Sequence, residues 1–461
     1  MKTENRLYDE IEIGDSAEMR RMCTADDLYV FANSSGNHNP LHLPQYDGDG
    51  DGTNEAVAPS MWVGSLISAL LGNRLPGPGT FYRGQTFRFL DRVHSGQEVT
   101  IRVEVTAKEA NRLIRMATTV DRVADGVRVL EGEAEVIAPE RKLVFDETEV
   151  PGLLVKRHRH FEAIMEKCAG IEPAPTAVVA PESTDALEGA LLGMRHGLIR
   201  PILIGDRRRI EVVAEELGED LSGIEIEDIR NHSAAAARGV ELVHQDRARA
   251  LMKGHLHTDE LLAHVVKRDG GLRTGRRTSH VFVMDVPGLD HILIISDAAI
   301  NIAPDLSAKA DIVQNAIHVA LALGIEQPKV GVLSAVETVN PKIPSTVDAA
   351  ALSKMAERGQ ITGGLVDGPL AMDNALNLQA ARTKGLTSLV AGNADILIAP
   401  NIESANMMAK ELTFAANAEA GGLVVGAQVP IILTSRSDDD KARLAACAVA
   451  ALYQEWRRTQ P

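Results

Sequence analysis

From about residue 160 onward, short apolar runs return at intervals: "AVVA", "PILIG", "HVFVMDV", "ILIISDA", "KVGVLSA", "ADILIAP" and "VPIILTS". Each has strand length, and amphipathic stretches separate them. One such stretch starts at Ser437 and carries Leu444, Cys447, Ala448, Ala451 and Leu452 at helical spacing. Strand alternating with helix predicts a mostly parallel sheet covered on both faces. Ligands of such sheets sit at the carboxyl ends of strands.

Before residue 140 the texture differs. Thr24 is placed to cap a helix starting at Ala25, with Asp27 in its first turn and Gly36 past its end. Met61 to Leu71 is apolar on nearly every face, through Trp62, Val63, Leu66, Ile67 and Leu70, which predicts a helix buried all round. Val99, Ile101, Val103 and Val105 alternate with polar residues as in a half-buried strand, and Asp125-Gly126 marks a tight hairpin. One buried helix wrapped by an antiparallel sheet is the α+β hotdog arrangement. Residues 1–140 are therefore expected to form the first domain, 141–159 a charged, Pro-bounded linker, and 160–461 the second domain. A length of 461 residues suits more than one core.

Lys and Arg total 48 against 64 Asp and Glu, a formal charge of −16. Such a chain is a poor binder of nucleic acid or membrane surfaces, so an anionic ligand needs a local Arg cluster or helix N-termini. Cys23, Cys168 and Cys447 are scattered and odd in number, which argues against a disulfide framework or zinc site and fits a reducing cytoplasm. The opening "MKTENRLYDEIEIGD" has no apolar core and reads as no signal peptide, and no apolar run is long enough to span a bilayer. From Asp47 the spacing of carboxylates imitates a calcium loop. The twelfth place is Ala58 rather than Glu, so a solvated loop is expected. No metal-ligand constellation is present.

The phrase "SGNHNPLH" just past a helix end, followed by "APSMWVGSLISALLGNRLPGPGTFY" and "GQEVTIRVEVT", resembles the MaoC-like, (R)-specific enoyl-CoA hydratase family over roughly residues 10–140. The resemblance implies that an Asp and a His activate water for addition to a trans-2-enoyl-CoA. A backbone N–H at the start of the central helix would hold the thioester oxyanion. His42 matches the His, Asn37 stands where the Asp belongs, and Pro59-Ser60 replaces the usual His-Gly, with Ser60 still carrying an N–H. A carboxamide accepts a hydrogen bond but cannot hold an abstracted proton. Two readings stay open: a weakened or altered hydratase in which His42 acts alone or His38 assists, or an acyl-CoA-binding or dimer-forming relic in which Asn37 only fixes the loop. Thioesterase chemistry is a weaker alternative.

The ordered segments "LMKGHLHTDELLAHVV", "GLRTGRRTSHVFVMD", "SDAAINIAPDLSAKADIVQNA", "GGLVDGPLAMDNAL", "APNIESANMMAKEL" and "VPIILTSRSD" resemble the phosphate acetyl/butyryltransferase family, closest to its butyryl branch. This implies two α/β subdomains with a cleft, like isocitrate and isopropylmalate dehydrogenases. It also implies transfer of a short acyl group between CoA and inorganic phosphate, both substrates, with no bound cofactor. Ser435 and Arg436 match the family's catalytic Ser-Arg pair. The family's thiol base falls on Ala442, leaving Asp438, Asp439 and Asp440 as nearby carboxylates; capping of a helix by Ser437 with acids in its first turn is their other role. Arg273, Arg276 and Arg277 are candidate phosphate ligands or a solvated basic turn. Lys253 and Thr258 are read as a wall of the CoA site. Asp367 and Asp373, in a Gly-rich strand-to-helix passage, are read as cleft-lining. His280 and His318 are expected to be satisfied core residues. Competing readings are a decarboxylating dehydrogenase, which needs an acidic Mg²⁺ cluster, and a non-catalytic CoA-binding scaffold. A homo-oligomer is expected.

Overall fold

In the computed structural model, residues 2–44, 46, 56–146, 160–433 and 439–460 are described. The calcium-like stretch from Asp47, most of the expected linker, and Ser435, Arg436, Ser437 and Asp438 lie outside them. The chain divides into two compact units, Met1–Val155 and Lys156–Pro461.

The first unit contains β1 (Lys2–Glu4), β2 (Ser16–Met22), α1 (Ala25–Ser35), α2 (Ser60–Asn73), β3 (Phe81–Phe89), β4 (Glu98–Lys108), β5 (Leu113–Arg122), β6 (Arg128–Ile137) and β7 (Val144–Asp146). Five strands form an antiparallel sheet in the order β2-β4-β5-β6-β3. On β4 the alternating Val99, Ile101, Val103 and Val105 all point into the core. Helix α1 is stopped at both ends by its own residues. The Thr24 side chain accepts from Asp27 N, Asp27 returns a bond to Thr24 N at 3.0 Å, and Gly36 closes the helix at φ 71°. The Asp125-Gly126 turn joins β5 to β6, with Gly126 N donating to Arg122 O at 2.8 Å.

Helix α2 corrects the expectation of burial all round. Trp62, Val63, Leu66, Ile67, Leu70 and Leu71 are buried, but Ser60, Met61, Ser65 and Ser68 form an exposed stripe, Met61 at 55%. Three serines on that stripe were the polar signal that a count of apolar residues passes over. The expected linker is also partly structured. Its residues 144–146 pair antiparallel with Lys2–Glu4, and Asn5 Nδ2 donates to Arg141 O at 2.9 Å.

The second unit runs α3 (His160–Lys167), β8 (Ala174–Val179), α4 (Thr184–Arg195), β9 (Ile199–Gly205), α5 (Arg207–Leu217), β10 (Glu225–Asp228), α6 (His232–His244), β11 (Ala250–Lys253), α7 (Thr258–Val265), β12 (Ser279–Asp285) and β13 (Leu293–Ser296). It continues with α8 (Leu306–Ala322), β14 (Lys329–Leu333), α9 (Pro344–Glu357), β15 (Leu365–Leu370), α10 (Met372–Leu376), α11 (Leu378–Thr383), β16 (Ile396–Ile398), α12 (Ile402–Phe414), β17 (Glu419–Val425), β18 (Ile431–Ile432) and α13 (Asp440–Thr459). Among the described residues eleven strands share one sheet, ordered β10-β9-β8-β11-β18-β17-β12-β13-β16-β14-β15. The strands β10, β9, β8, β11 and β18 are mutually parallel, as are β13, β16, β14 and β15. Between the two sets, β17 and β12 pair antiparallel with their neighbours.

The two faces of this sheet are packed differently. On one, a single core joins residues of both parallel sets, from Val178 and Leu203 to Val330 and Ile396, beneath α3, α4, α8 and α13. On the other, two separate cores form. One lies under α6 and α7 and includes Ala177, Leu251 and Val424; the other lies against α10, α11 and α12 and includes Leu293, Leu333 and Leu397. Among the described residues no helix is long and apolar enough to cross a membrane.

Candidate functional site

In the first unit the polar loop after α1 is built from short side-chain bonds. Asn37 N donates to Ser35 Oγ and Asn37 Oδ1 accepts from Asn39 N, each at 3.3 Å, and Asn39 Oδ1 accepts from Leu41 N at 3.1 Å. Asn37, His38 and Asn39 are exposed. His42 is half-buried and its Nδ1 sits 2.7 Å from Val57 O. A carbonyl only accepts, so Nδ1 carries the proton and Nε2 presents a lone pair. Val57 N donates back to Leu41 O at 3.1 Å, and Ala58 N to Val93 O at 2.7 Å. These bonds strap His42 to the strand that leads into Ser60, the first residue of α2. Pro59 O accepts from Trp62 N and Val63 N, so the N–H groups of Ser60 and Met61 are the ones no helical carbonyl satisfies. An imidazole lone pair and an open helix N-terminus thus flank one short segment. Asn37 does fix its loop, and no described bond joins it to His42.

In the second unit the three arginines part company. Arg273 forms an antiparallel bridge with Ala427, ahead of β18. Arg276 Nη1 faces Asp311 Oδ1 of α8 at 3.9 Å. Arg277 N donates to Asp311 Oδ2 at 3.0 Å, while its Nη1 reaches Asn301 Oδ1 at 3.4 Å. Asn301 belongs to a loop that sequence reasoning missed, in which Asp297, Ala298 and Asn301 are buried. Asp297 Oδ1 accepts from Ala299 N and Ile300 N at 3.0 Å each, and Oδ2 from Asn301 N at 3.1 Å. Asn301 Nδ2 also donates to Thr278 O at 2.9 Å, tying the loop to the start of β12. The stretch "SDAAIN" carried the signal, since an Asp followed by a small-residue turn offers its carboxylate to successive N–H groups.

The same loop faces His280, whose expected role as a satisfied core residue is corrected. Its Nδ1 is buried with no hydrogen-bond partner among the described residues. Burial holds the imidazole well below its ordinary pKa, against the opposing pull of Asp297. Its Nε2 lies over Gly422, where an added Cβ would come within 3.0 Å of Nε2 and 2.9 Å of Leu433 O. Only glycine lets the ring and the strand's carbonyl close over β17 at this point. His318 is half-buried against Trp456 rather than in the core, with its ring centroid 5.1 Å away.

Ser435 and Arg436 lie outside the described residues, and Leu433 and Lys441 flank them in sequence. Leu433 N donates to Gly422 O at 3.4 Å, and Lys441 Nζ pairs with Glu419 at 2.9 Å. Glu419 pairs with Asp285 at one end of the β12–β17 ladder, whereas the arginine turn leads into Ser279 at the other, about 20 Å of strand away. The cap of α13 is Asp439 rather than Ser437. Its carboxylate accepts from Ala442 N at 2.9 Å, and Asp440 accepts from Arg443 Nη1 at 3.1 Å, so both acids already have structural partners.

Lys253 ends β11 with Nζ donating to Gly254 O at 3.2 Å, and Thr258 begins α7. Asp367 lies within β15 and its Oδ1 accepts from Gly368 N at 2.8 Å. Asp373 pairs with Lys384 at 3.1 Å; that ammonium, which also pairs with Glu337 at 3.1 Å, holds the Asp373 carboxyl below its ordinary range. Strand order separates Lys253 from Asp367 and Asp373, because β18, β17, β12, β13, β16 and β14 lie between β11 and β15. Among the described residues no cluster of three or more His, Cys, Asp or Glu is arranged to hold a metal ion.

A family model described as phosphate acetyl/butaryl transferase matches residues 230–451, and one described as MaoC like domain matches residues 10–126. A phosphate acetyltransferase of Rhizobium meliloti is 57% identical over 286 residues, covering 62% of this chain and 90% of that protein. A phosphate butyryltransferase of Clostridium acetobutylicum is 43% identical over 294 residues, covering 64% of this chain and 98% of that protein. A solved branched-chain phosphotransacylase from Enterococcus faecalis is 29% identical with a TM-score of 0.54, covering 61% of this chain and 99% of that one. The expected leaning toward the butyryl branch is therefore corrected: identity is higher to the Rhizobium protein than to the Clostridium one.

Proposed function

The chain belongs to the phosphate acetyl/butyryltransferase family, and from that premise we propose that its second unit moves a short acyl group between CoA and orthophosphate. The observation that carries this reading is the high identity to named phosphate acyltransferases across nearly their whole length. The two separate cores on one sheet face support a crevice between two α/β halves, of the isocitrate dehydrogenase kind, floored by His280 and Gly422.

In the forward direction a phosphate oxygen attacks the thioester carbonyl. The C–O bond forms, the carbonyl pair moves to oxygen, and collapse of the tetrahedral intermediate breaks C–S and releases CoA thiolate, which takes a proton. Arg436 stabilises the developing oxyanion and Ser435 hydrogen-bonds the substrate. Arg277 carries the second guanidinium, held by Asn301 at the crevice side of its turn, where it meets phosphate charge. Asp439 and Asp440 are committed to the helix end, which leaves Asp438 as the carboxylate of the trio for the thiol proton.

The first unit takes an acyl-CoA against Ser60 N–H, and His42 Nε2 is its base. With Asn37 in place of a carboxylate, its hydration activity is weak. The chain works as a cytoplasmic homo-oligomer, with CoA thioester and phosphate as substrates and no bound cofactor. The test is an assay of purified protein with acetyl-, butyryl- and crotonyl-CoA, with and without phosphate. Thiol release that requires phosphate supports the reading; thiol release indifferent to phosphate excludes it in favour of thioester hydrolysis, and no thiol release excludes it and leaves the CoA-binding scaffold.

A further inference from the structure

On the sheet face opposite His280, a pocket of about 870 Å³ opens between α8, α13 and the Thr274–Arg276 turn. Its walls are facing stripes of two helices: Asp311, Asn315 and His318 on α8, and Tyr453, Trp456 and Arg457 on α13. The turn is pinned in place, since Thr274 Oγ1 donates to Gly426 O at 2.6 Å and accepts from Arg276 N at 3.1 Å.

Two guanidiniums, Arg276 and Arg457, line the pocket, together with two acceptors, the Asp311 carboxylate and the buried Asn315 Oδ1. Among the described residues the Arg276 side chain has only the 3.9 Å approach to Asp311, which is too long for a hydrogen bond, and Asp311 already accepts the Arg277 N–H. Arg457 uses Nη1 on Ala427 O and Gln428 O, at 3.1 and 2.7 Å, and keeps the rest of its fork. Gln314 Nε2 donates to His318 Nε2 at 3.0 Å, which makes Nδ1 the protonated nitrogen. Beside these donors stand the Trp456 ring, 6.0 Å from Tyr453 and nearly stacked on it, and the His318 ring. Burial drives the His318 pKa down to about 4, and Arg276 and Arg457 add to the shift, so their positive charge is felt at the pocket rather than cancelled.

We propose that this pocket binds a small aromatic phosphate monoester of the nucleoside monophosphate class, with the phosphate between Arg276 and Arg457 and the ring against Trp456. Two forked guanidiniums match a phosphate dianion, a π face matches a base, and the volume falls in the range of small-ligand sites. The site is distinct from the acyl-transfer crevice, which lies across the sheet. It is linked to that crevice by one peptide bond, because Arg277 turns toward Asn301 where Arg276 turns toward the pocket. A ligand that draws Arg276 inward moves the turn that positions Arg277.

Calorimetric titration of the full chain with AMP, without CoA present, tests this. The expected result is saturable binding with one site per chain, no binding of adenosine, and a loss of at least about tenfold in affinity for Arg276→Ala and for Arg457→Ala. Arg457 also braces two carbonyls, so if that variant misfolds by circular dichroism the exposed Arg276 decides alone. Absence of saturable binding, or binding unchanged in Arg276→Ala, would each overturn the proposal. None of these outcomes depends on turnover, so they separate from the acyltransferase assay.

Discussion

His42 and Val57 are locked together: the imidazole Nδ1–H is 2.7 Å from the Val57 carbonyl, which fixes the tautomer and aims Nε2 away from the strand. On the proposed hydratase reading His42 is the base, held in place by this bond, and the carboxylate that should act with it is replaced by Asn37. Asn37→Asp should raise crotonyl-CoA hydration by about 10²-fold, the scale of general-base catalysis, and His42→Ala in that background should abolish the gain. A direct count of 3-hydroxybutyryl-CoA formed from crotonyl-CoA reads both variants. Failure of Asn37→Asp to gain activity would contradict the site geometry.

Arg277→Ala should lower kcat/KM for the phosphate-dependent reaction by about 10²-fold, with much of the loss in the KM for phosphate. Arg277→Lys should recover only part of it, because an ammonium cannot fork between Asn301 and a phosphate. Steady-state kinetics against phosphate concentration read both variants, and an unchanged KM would remove Arg277 from the crevice.

What was legible in the sequence was whatever rests on local periodicity or local capping. Thr24, Asp27 and Gly36 bound α1 because each acts within one turn, and the valines of β4 alternate because a half-buried strand has a period of two. Non-local features escaped. The β1–β7 pair has three residues per strand, too short for a period, and depends on residues 2–4 meeting 144–146. The three arginines read as one basic cluster because they are adjacent, yet a turn pinned by Thr274 sends Arg276 and Arg277 to different partners. Asp439 displaced Ser437 as helix cap because three consecutive acids offer three registers, and only packing of α13 chooses among them.

All three cysteines, Cys23, Cys168 and Cys447, are buried, and burial pushes their thiols up to about 12, about 11 and about 12. Native protein at pH 8 should therefore give almost no reaction with a disulfide reagent, and all three thiols should react once denatured. Acyl transfer should survive the treatment. Rapid labelling of the folded protein with loss of activity would point to a thiol nucleophile and against direct attack by phosphate.

His318 is held neutral, with its pKa lowered from 6.5 to about 4. As pH falls the unfolded chain takes the proton first, so the stabilisation present above pH 6.5 is lost between about 6.5 and 4. The loss is at most about 3 kcal/mol, reduced by the solvent that reaches this half-buried ring. Urea unfolding at pH 7.5 and 5 should show a smaller pH-dependent loss in His318→Gln than in the parent, and equal losses would contradict the assignment.

The central claim is that orthophosphate itself attacks the CoA-bound acyl group in the second unit. Phosphorus NMR of the purified chain with butyryl-CoA or acetyl-CoA and phosphate tests it directly. An acyl phosphate resonance that grows in step with free thiol, and that Arg436→Ala suppresses, is the predicted result. Free thiol without acyl phosphate, or an acyl phosphate signal unaffected by Arg436→Ala, would contradict it.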